Sequence, residues 1–351
     1  MVIGGRSESG SERAAGSDAV AWPVLVDALR QARTVLLIGH INPDADTMGS
    51  NLALASALSA AGVDVQVSVG MPDFEMPSGL AWLPGQEFLV KPERVRTPVD
   101  VAVAIDCSAI DRLGTLTETA ATADVFAAID HHASYDGFAD VSVVDPAAPA
   151  AGVLVAELID RLGLAWTVPV ATGIYAAISS DTGSFRYPAT TAETHRLAAA
   201  MLDLGIDHAE ISRRIFADRA LGLIRIAGEA MTTAEYFPAA VGGAGALIGV
   251  IDRTARERHG VAYDEVESVI TDLTNNGVAE VTAIVKEDDL GRWKVSTRSR
   301  GNFDVSALCL KLGGGGHRAA AGYSAAGDLS QTLAQLYVEL GIHDGERRTQ
   351  R

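Results

Sequence analysis

The first half of the chain alternates apolar runs of strand length with longer helical patterns, and this alternation restricts the fold more than any other feature. Thr34–Gly39 (TVLLIG), residues 63–69 (VDVQVSV), residues 99–105 (VDVAVAI), residues 125–129 (VFAAI) and Val141–Val144 read as strands. Residues 48–61, 152–162, 168–180 and 192–204 read as helices. Strands that alternate with helices in this way build a parallel sheet with helices on both faces. Ligands of such sheets bind outside the carboxyl ends of the strands. The runs at 99–105 and 125–129 each lead directly into an aspartate, Asp106 and Asp130, and Thr34–Gly39 leads into His40.

A chain of 351 residues fits two domains, and with 48% hydrophobic residues it can bury a full core. Residues 208–233 read as one continuous helical pattern, which Pro and Gly break at residues 237–245 (FPAAVGGAG). The connection between domains is expected there. Beyond it, residues 247–251, 281–285 and 293–298 read as strands, with helices at 263–273 and from Val305, then a four-glycine loop at Gly313, Gly314, Gly315 and Gly316 before His317. The second domain is therefore expected to be a smaller α/β unit with a mixed sheet. The expected division is a disordered tail at 1–20, a catalytic domain at 21–207, a helical linker at 208–240 and a substrate-binding domain at 241–345.

Lys and Arg total 28 against 45 Asp and Glu, a net charge of −17. A surface of this sign repels long polyphosphates and disfavours long duplex nucleic acid as a partner. Small anions entering a metal-charged pocket remain compatible with it, because bound cations dominate the local field. Two cysteines, Cys107 and Cys309, give no disulfide framework. No stretch has the ~18 uncharged apolar residues of a membrane span. The expected protein is soluble and cytoplasmic, with no membrane partner.

Four clusters carry the chemistry. GHINPDADTMGS, residues 39–50, places His40, Asp44 and Asp46 in an expected loop between a strand and a helix. One imidazole and two carboxylates this close suit a divalent cation, although an Asx-capped turn uses the same residues. Asp106 and the triplet Asp130, His131 and His132 follow strands, where a simple strand end or a surface histidine pair is the plainer reading of each alone. Asp181, in ISSDTGSF, ends an apolar helix. There it faces the negative end of the macrodipole, a penalty a nearby cation would remove. Four such clusters at equivalent ends of successive elements are hard to explain separately.

Together they resemble the DHH phosphoesterase family, whose triplet matches Asp130, His131 and His132. The HxNPDxD segment at residues 40–46, the aspartate after the apolar strand and the aspartate before Thr-Gly-Ser match as well, in the family's order. The resemblance implies two Mn-type ions: His40 and Asp44 on the first, Asp46, His131 and Asp181 on the second, and Asp106 on both. His132 would contact phosphate or protonate the leaving oxygen, Asp130 would orient its neighbours, and Arg112 would help bind phosphate or form an ordinary ion pair.

LGGGGHRAAAG, residues 312–322, resembles the glycine loop of the DHHA1 domain. Arg298 and His317 would then bind the nucleotide distal to the scissile phosphate, with Ser299 supporting them, and the active site would lie in the cleft between the domains. Within the family the chain looks similar to the bifunctional oligoribonucleases. These cleave short RNA oligonucleotides (nanoRNA), dephosphorylate 3′-phosphoadenosine 5′-phosphate (PAP) and in some cases act on cyclic or linear di-AMP, as homodimers. A RecJ-like single-strand exonuclease, a family II pyrophosphatase-like enzyme and a non-catalytic nucleotide sensor are the alternatives.

Overall fold

The computed structural model describes residues 18–343. Residues 1–17 of the expected tail lie outside the described residues, and the first helix, α1, spans Asp18–Gln31. The chain divides into two compact units at the bond between Asp218 and Arg219.

The first unit continues with β1 (Thr34–Gly39), α2 (Ala45–Ala60), β2 (Asp64–Val69), β3 (Val101–Ile105), α3 (Thr117–Ala120), β4 (Val125–Asp130) and β5 (Val141–Val144). Four longer helices complete it: α4 (Ala151–Leu162), α5 (Val168–Asp181), α6 (Ala192–Asp203) and α7 (His208–Phe216). The strands form one five-stranded sheet in the order β2-β1-β3-β4-β5, parallel throughout. Val35 and Leu37 pack on one face with α1, α2, α4 and α5. Leu36 and Ile38 pack on the other, where Leu113, Leu116 and Ala120 from a 3-10 turn and α3 cover them. Helices thus lie on both faces, the long ones on one.

In the register, Gly39 is level with Ile105 and Ile105 with Ile129. The residues that follow these three, His40, Asp106 and Asp130, therefore leave the sheet at the same height. The strand order reverses between β1 and β3, and a crevice opens at such a switch point.

Two glycines fix the helices that flank this end. A Cβ on Gly49 of α2 would lie 2.5 Å from the Gly173 carbonyl oxygen of α5, and one on Gly173 would lie 2.6 Å from the Gly49 oxygen. The helices cross backbone to backbone there, which only glycine at both positions allows.

The continuous helix expected over 208–233 is two helices. α7 ends at Phe216, and α8 (Leu221–Thr233) starts after an extended Ala220. Charge pairing accounts for the break without glycine or proline. Asp218 pairs back to Arg213 at 2.5 Å, and Arg219 turns to Asp272 at 2.7 Å.

The second unit contains α8, β6 (Glu235–Phe237), the distorted turn α9 (Ala240–Gly243), β7 (Ala246–Ile251), α10 (Arg253–His259), α11 (Val269–Thr274) and β8 (Val281–Glu287). It ends with β9 (Trp293–Ser299), α12 (Val305–Lys311), β10 (Gly315–His317), β11 (Ala320–Ser324) and α13 (Leu329–Leu340). Its mixed six-stranded sheet has the order β10-β11-β9-β8-β7-β6, with only the β7–β8 pair parallel. The four-glycine loop is in part a strand: Gly315 and Gly316 pair with Gly322 and Ala321 of β11. Gly314 packs so tightly that a Cβ there would meet the Gly322 oxygen at 2.1 Å.

Candidate metal centre

His40, Asp106 and His131 stand at the ends of β1, β3 and β4, and the two helices α2 and α5 bring Asp44, Asp46 and Asp181 to them. Asp44 caps α2, its Oδ1 accepting from the Thr47 amide at 3.0 Å. Asp46, expected in the loop, sits in the first turn of α2 and is fully buried. Its carboxylate accepts from the amides of Ala151 and Gly152 at 2.7 and 2.9 Å, the N-terminus of α4, and from the Ser50 hydroxyl at 3.1 Å. Asp106 adopts φ 61, a left-handed conformation that aspartate tolerates better than most residues. Its amide is held by the Ile129 carbonyl at 2.9 Å, which fixes the carboxylate between the histidines.

Three overlapping groups of donors result: His40, Asp44 and Asp106; Asp46, His131 and Asp181; and Asp106, His131 and His132, the atoms of each within 4.8 Å of one another. His40 Nε2 lies 4.0 Å from Asp44 Oδ2 and 3.6 Å from Asp106 Oδ2. His131 Nε2 lies 3.7, 3.5 and 3.4 Å from Asp46, Asp106 and Asp181. These separations are long for hydrogen bonds. They suit donors that share a cation, since two ligands each ~2.1–2.2 Å from one ion lie roughly 3–4 Å apart. Asp106 faces the first two of these groups with different oxygens, Oδ2 toward His40 and Oδ1 toward His131.

The hydrogen-bond inventory is consistent with this fit. Asp106 Oδ1 and His131 Nε2 are buried and have no hydrogen-bond partner, a costly state for polar atoms unless an ion takes them up. The opposite ring nitrogens face carbonyls, His40 Nδ1 on Ile41 at 2.8 Å and His131 Nδ1 on Ala148 at 3.2 Å. His40 Nδ1 also faces the Arg112 guanidinium, a donor, at 2.9 Å, so the Ile41 carbonyl does not fix its tautomer; the Ala148 carbonyl can only accept, so a neutral His131 ring carries its proton on Nδ1 and presents the Nε2 lone pair to the carboxylates. That tautomer is the one a metal ligand needs. The donor set of carboxylates and imidazoles fits a divalent cation.

The electrostatics of the metal-free site are strained. Burial pushes the Asp46 carboxyl well up, and neighbouring Asp106 and Asp181 push it further. Burial likewise raises Asp181, to about 6 against the help of His131. Burial opposes protonation of His131, but Asp106 and Asp181 outweigh it and lift its pKa to about 12. Burial also opposes the charge on Asp106, yet His131 and His40 hold its carboxyl well below the usual range. The group carries its own protons where cations would otherwise be.

This yields a pH prediction. Because the folded pKa of Asp181 lies above its ordinary 3.8, its contribution is fully present below pH 3.8 and is lost as pH rises through about 6. In chelator, the melting temperature is expected to fall over this window, and Asp181→Asn is expected to flatten the fall. A metal-free profile unchanged by the substitution would contradict the assignment.

Two residues beside the donors complete the floor. Asp130 is fully buried, and its Oδ1 accepts from the His131 amide at 2.9 Å and from His132 Nδ1 at 2.7 Å. That bond fixes the His132 ring, whose Nδ1 also lies 3.6 Å from Asp106 Oδ1. Thr47 escaped the sequence reading; its hydroxyl lies 2.7 Å from Asp106 Oδ2 and 3.1 Å from Asp44 Oδ1. The Asp-x-x-Thr spacing of a helix cap was the available signal. Arg112 lies beside His40, NH2 2.9 Å from Nδ1, which puts a permanent positive charge at the edge of the cluster.

In the second unit, Arg298 is level with Ala320, and Ala320 with His317. The two candidate substrate contacts thus share one row across three strands, His317 exposed and Arg298 half-buried. Ser299 does not join them as expected. Its buried hydroxyl donates to Glu280 at 2.8 Å and accepts from the Gly301 and Phe303 amides at 3.0 and 3.3 Å, so it shapes the loop after β9.

A parallel sheet with converging acidic and histidine side chains at its carboxyl end, joined to a second mixed-sheet unit, defines a metal-dependent hydrolase class. The chain matches the DHH family, N-terminal domain, over residues 34–178 and the DHHA1 domain over residues 245–338. It belongs to the DHH family and is a hydrolase. It is 32% identical over 304 residues to the bifunctional oligoribonuclease and PAP phosphatase NrnA of Thermus thermophilus, covering 86% of this chain and 87% of that one. Against the Bacillus subtilis protein of the same name it is 25% identical over 300 residues, 83% and 89% of the two chains. Its fold matches the crystal structure of an exopolyphosphatase-related protein from Bacteroides fragilis at TM-score 0.84, with 22% identity and 92% and 96% coverage. Among the described residues, no helix is long and apolar enough to cross a membrane.

Proposed function

We propose that the chain is a Mn-dependent two-metal phosphoesterase of short nucleotides. It trims nanoRNA from the 3′ end to nucleoside 5′-monophosphates and removes the 3′-phosphate of 3′-phosphoadenosine 5′-phosphate; cyclic and linear di-AMP are further candidate substrates. A cytoplasmic homodimer is the setting that goes with this reading. The observation that carries it is Asp106 standing between two donor groups, one oxygen toward His40 and the other toward His131, with buried atoms of Asp106 and His131 that lack hydrogen-bond partners. The relatives named for these two activities cover most of the chain.

His40 and Asp44 would hold one ion, Asp46, His131 and Asp181 the other, and Asp106 both. What the ions supply when bound is neutralisation of the phosphoryl oxygens and activation of water for in-line attack. Everything else falls to the chain's own side chains. Asp130 holds His132 by Nδ1, so that Nε2 can bind the phosphate or pass a proton to the leaving oxygen. Thr47 keeps the Asp44 and Asp106 carboxylates in place. Arg112 adds positive charge where phosphate would enter. Arg298 and His317 would clamp the nucleotide distal to the cleaved bond, with the Gly313–Gly316 backbone beside them free of side chains.

Turnover of a ribodinucleotide, 3′-phosphoadenosine 5′-phosphate, linear and cyclic di-AMP, single-stranded DNA and pyrophosphate, each with Mn, tests the reading. Fastest turnover is expected on the ribodinucleotide or the 3′-phosphate; preference for long single-stranded DNA or pyrophosphate would overturn it. His317→Ala is expected to raise KM for a ribodinucleotide about tenfold while sparing bis-p-nitrophenyl phosphate, which has no distal nucleotide to clamp. Equal losses on both would remove His317 from substrate binding.

A further inference from the structure

Glu280 stands directly before β8, and its backbone is fixed on both sides. Its amide donates to the carbonyls of Ala244 and Gly245, each at 3.0 Å, and its carbonyl accepts from the Arg300 amide at 3.0 Å. The residue is only 8% exposed. Oε1 of its carboxylate accepts from the Ser299 hydroxyl at 2.8 Å and from the Asn302 and Phe303 amides at 2.8 and 3.1 Å. Oε2 accepts from the Asn302 side-chain amide at 3.2 Å. Burial works against the charge, but the Ser299 and Asn302 donors outweigh it and hold the carboxyl below its ordinary range.

Burying a carboxylate is costly unless hydrogen bonds compensate it. Here the four donors all come from residues 299–303, so the carboxylate and that stretch hold each other in one arrangement. The same stretch is tied to a second place. The Ser299 amide donates to the Ala319 carbonyl at 2.9 Å, and the Val305 amide to the Arg318 carbonyl at 3.0 Å. Arg318 and Ala319 join β10 to β11, directly after His317. Arg298 comes directly before Ser299 in β9. The two side chains assigned to the distal nucleotide thus each adjoin the segment that Glu280 fixes, one along the chain and the other through backbone bonds.

We propose that Glu280 is the positioning residue of the nucleotide clamp: by holding residues 299–303 it sets where Arg298 and His317 stand, without itself touching the ligand. Its oxygens are taken up by the loop, so its contribution reaches the substrate only through those two side chains. Loss of the carboxylate should therefore weaken nucleotide binding and leave the chemistry at the metal centre as it is. The inference deepens the proposed function and rests on its assignment of Arg298 and His317 to substrate.

Steady-state kinetics with Mn on the full chain tests it, with a ribodinucleotide and bis-p-nitrophenyl phosphate as substrates. Glu280→Ala is expected to raise KM for the ribodinucleotide about tenfold, with kcat and turnover of bis-p-nitrophenyl phosphate unchanged. Glu280→Gln keeps an oxygen for the three donors on Oε1 and is expected to recover most of the loss. Ser299→Ala removes one of those donors with Glu280 in place, and is expected to raise the same KM about threefold. Melting temperatures show that the variants fold, and Ser299→Ala gives the answer if Glu280→Ala does not. An unchanged KM, or an equal loss on both substrates, overturns the proposal. Arg298→Ala separates the two levels. A raised KM there, with none in the variants at Glu280 and Ser299, removes only the positioning role; an unchanged KM there removes the clamp and this inference with it.

Discussion

Asp106→Asn is expected to lower turnover of every phosphoester by roughly four orders of magnitude while leaving the protein folded. The substitution keeps the shape of the side chain and an oxygen for the Thr47 hydroxyl, 2.7 Å away. What it removes is the charge that faces His40 at 3.6 Å through one oxygen and His131 at 3.5 Å through the other. Each donor group then loses its shared anion, and divalent ions should bind weakly or not at all. The loss should be the same for ribodinucleotides and for bis-p-nitrophenyl phosphate, because the effect lies in the chemistry and not in nucleotide recognition. Steady-state kinetics across saturating Mn measures it. Residual activity above a hundredth of wild type would place the bridging role elsewhere.

Gly49→Val is expected to destabilise the fold of the first unit strongly. Its Cβ would lie 2.5 Å from the Gly173 oxygen, a backbone atom that cannot move aside alone. α2 and α5 would have to separate, at a cost of about 3 kcal/mol or more. Because α2 carries Asp46 and α5 carries Asp181, the same separation pulls apart the second donor group. The expected result is a lower denaturant midpoint together with weaker Mn binding; an unchanged midpoint would mean that the helices do not cross at these glycines.

The parallel sheet and its reactive end were legible because an apolar run that stops at an acidic residue is a local signal. Asp106 and Asp130 could be placed at strand ends from the residues beside them. Asp46 was placed in a loop because its role as a first-turn residue depends on Asp44 acting as cap, and on amides of α4 more than a hundred positions away. No local pattern announces such a partner. Thr47 was overlooked for a similar reason, since a threonine after aspartates reads as part of a cap.

In the second unit, glycine's low strand propensity hid β10, whose pairing is imposed by β11. The break between α7 and α8 carries no glycine or proline, and was hidden because ion pairs of Asp218 and Arg219 make it. Lys286 is buried beside Glu267 of a separate turn, a pairing that no local pattern announces.

An anomalous difference map from crystals soaked in manganese tests the two-ion site most directly. The geometry predicts two peaks per chain, one bounded by His40, Asp44 and Asp106 and the other by Asp46, His131 and Asp181, with Asp106 adjoining both. A single peak, or peaks away from these six side chains, would contradict it.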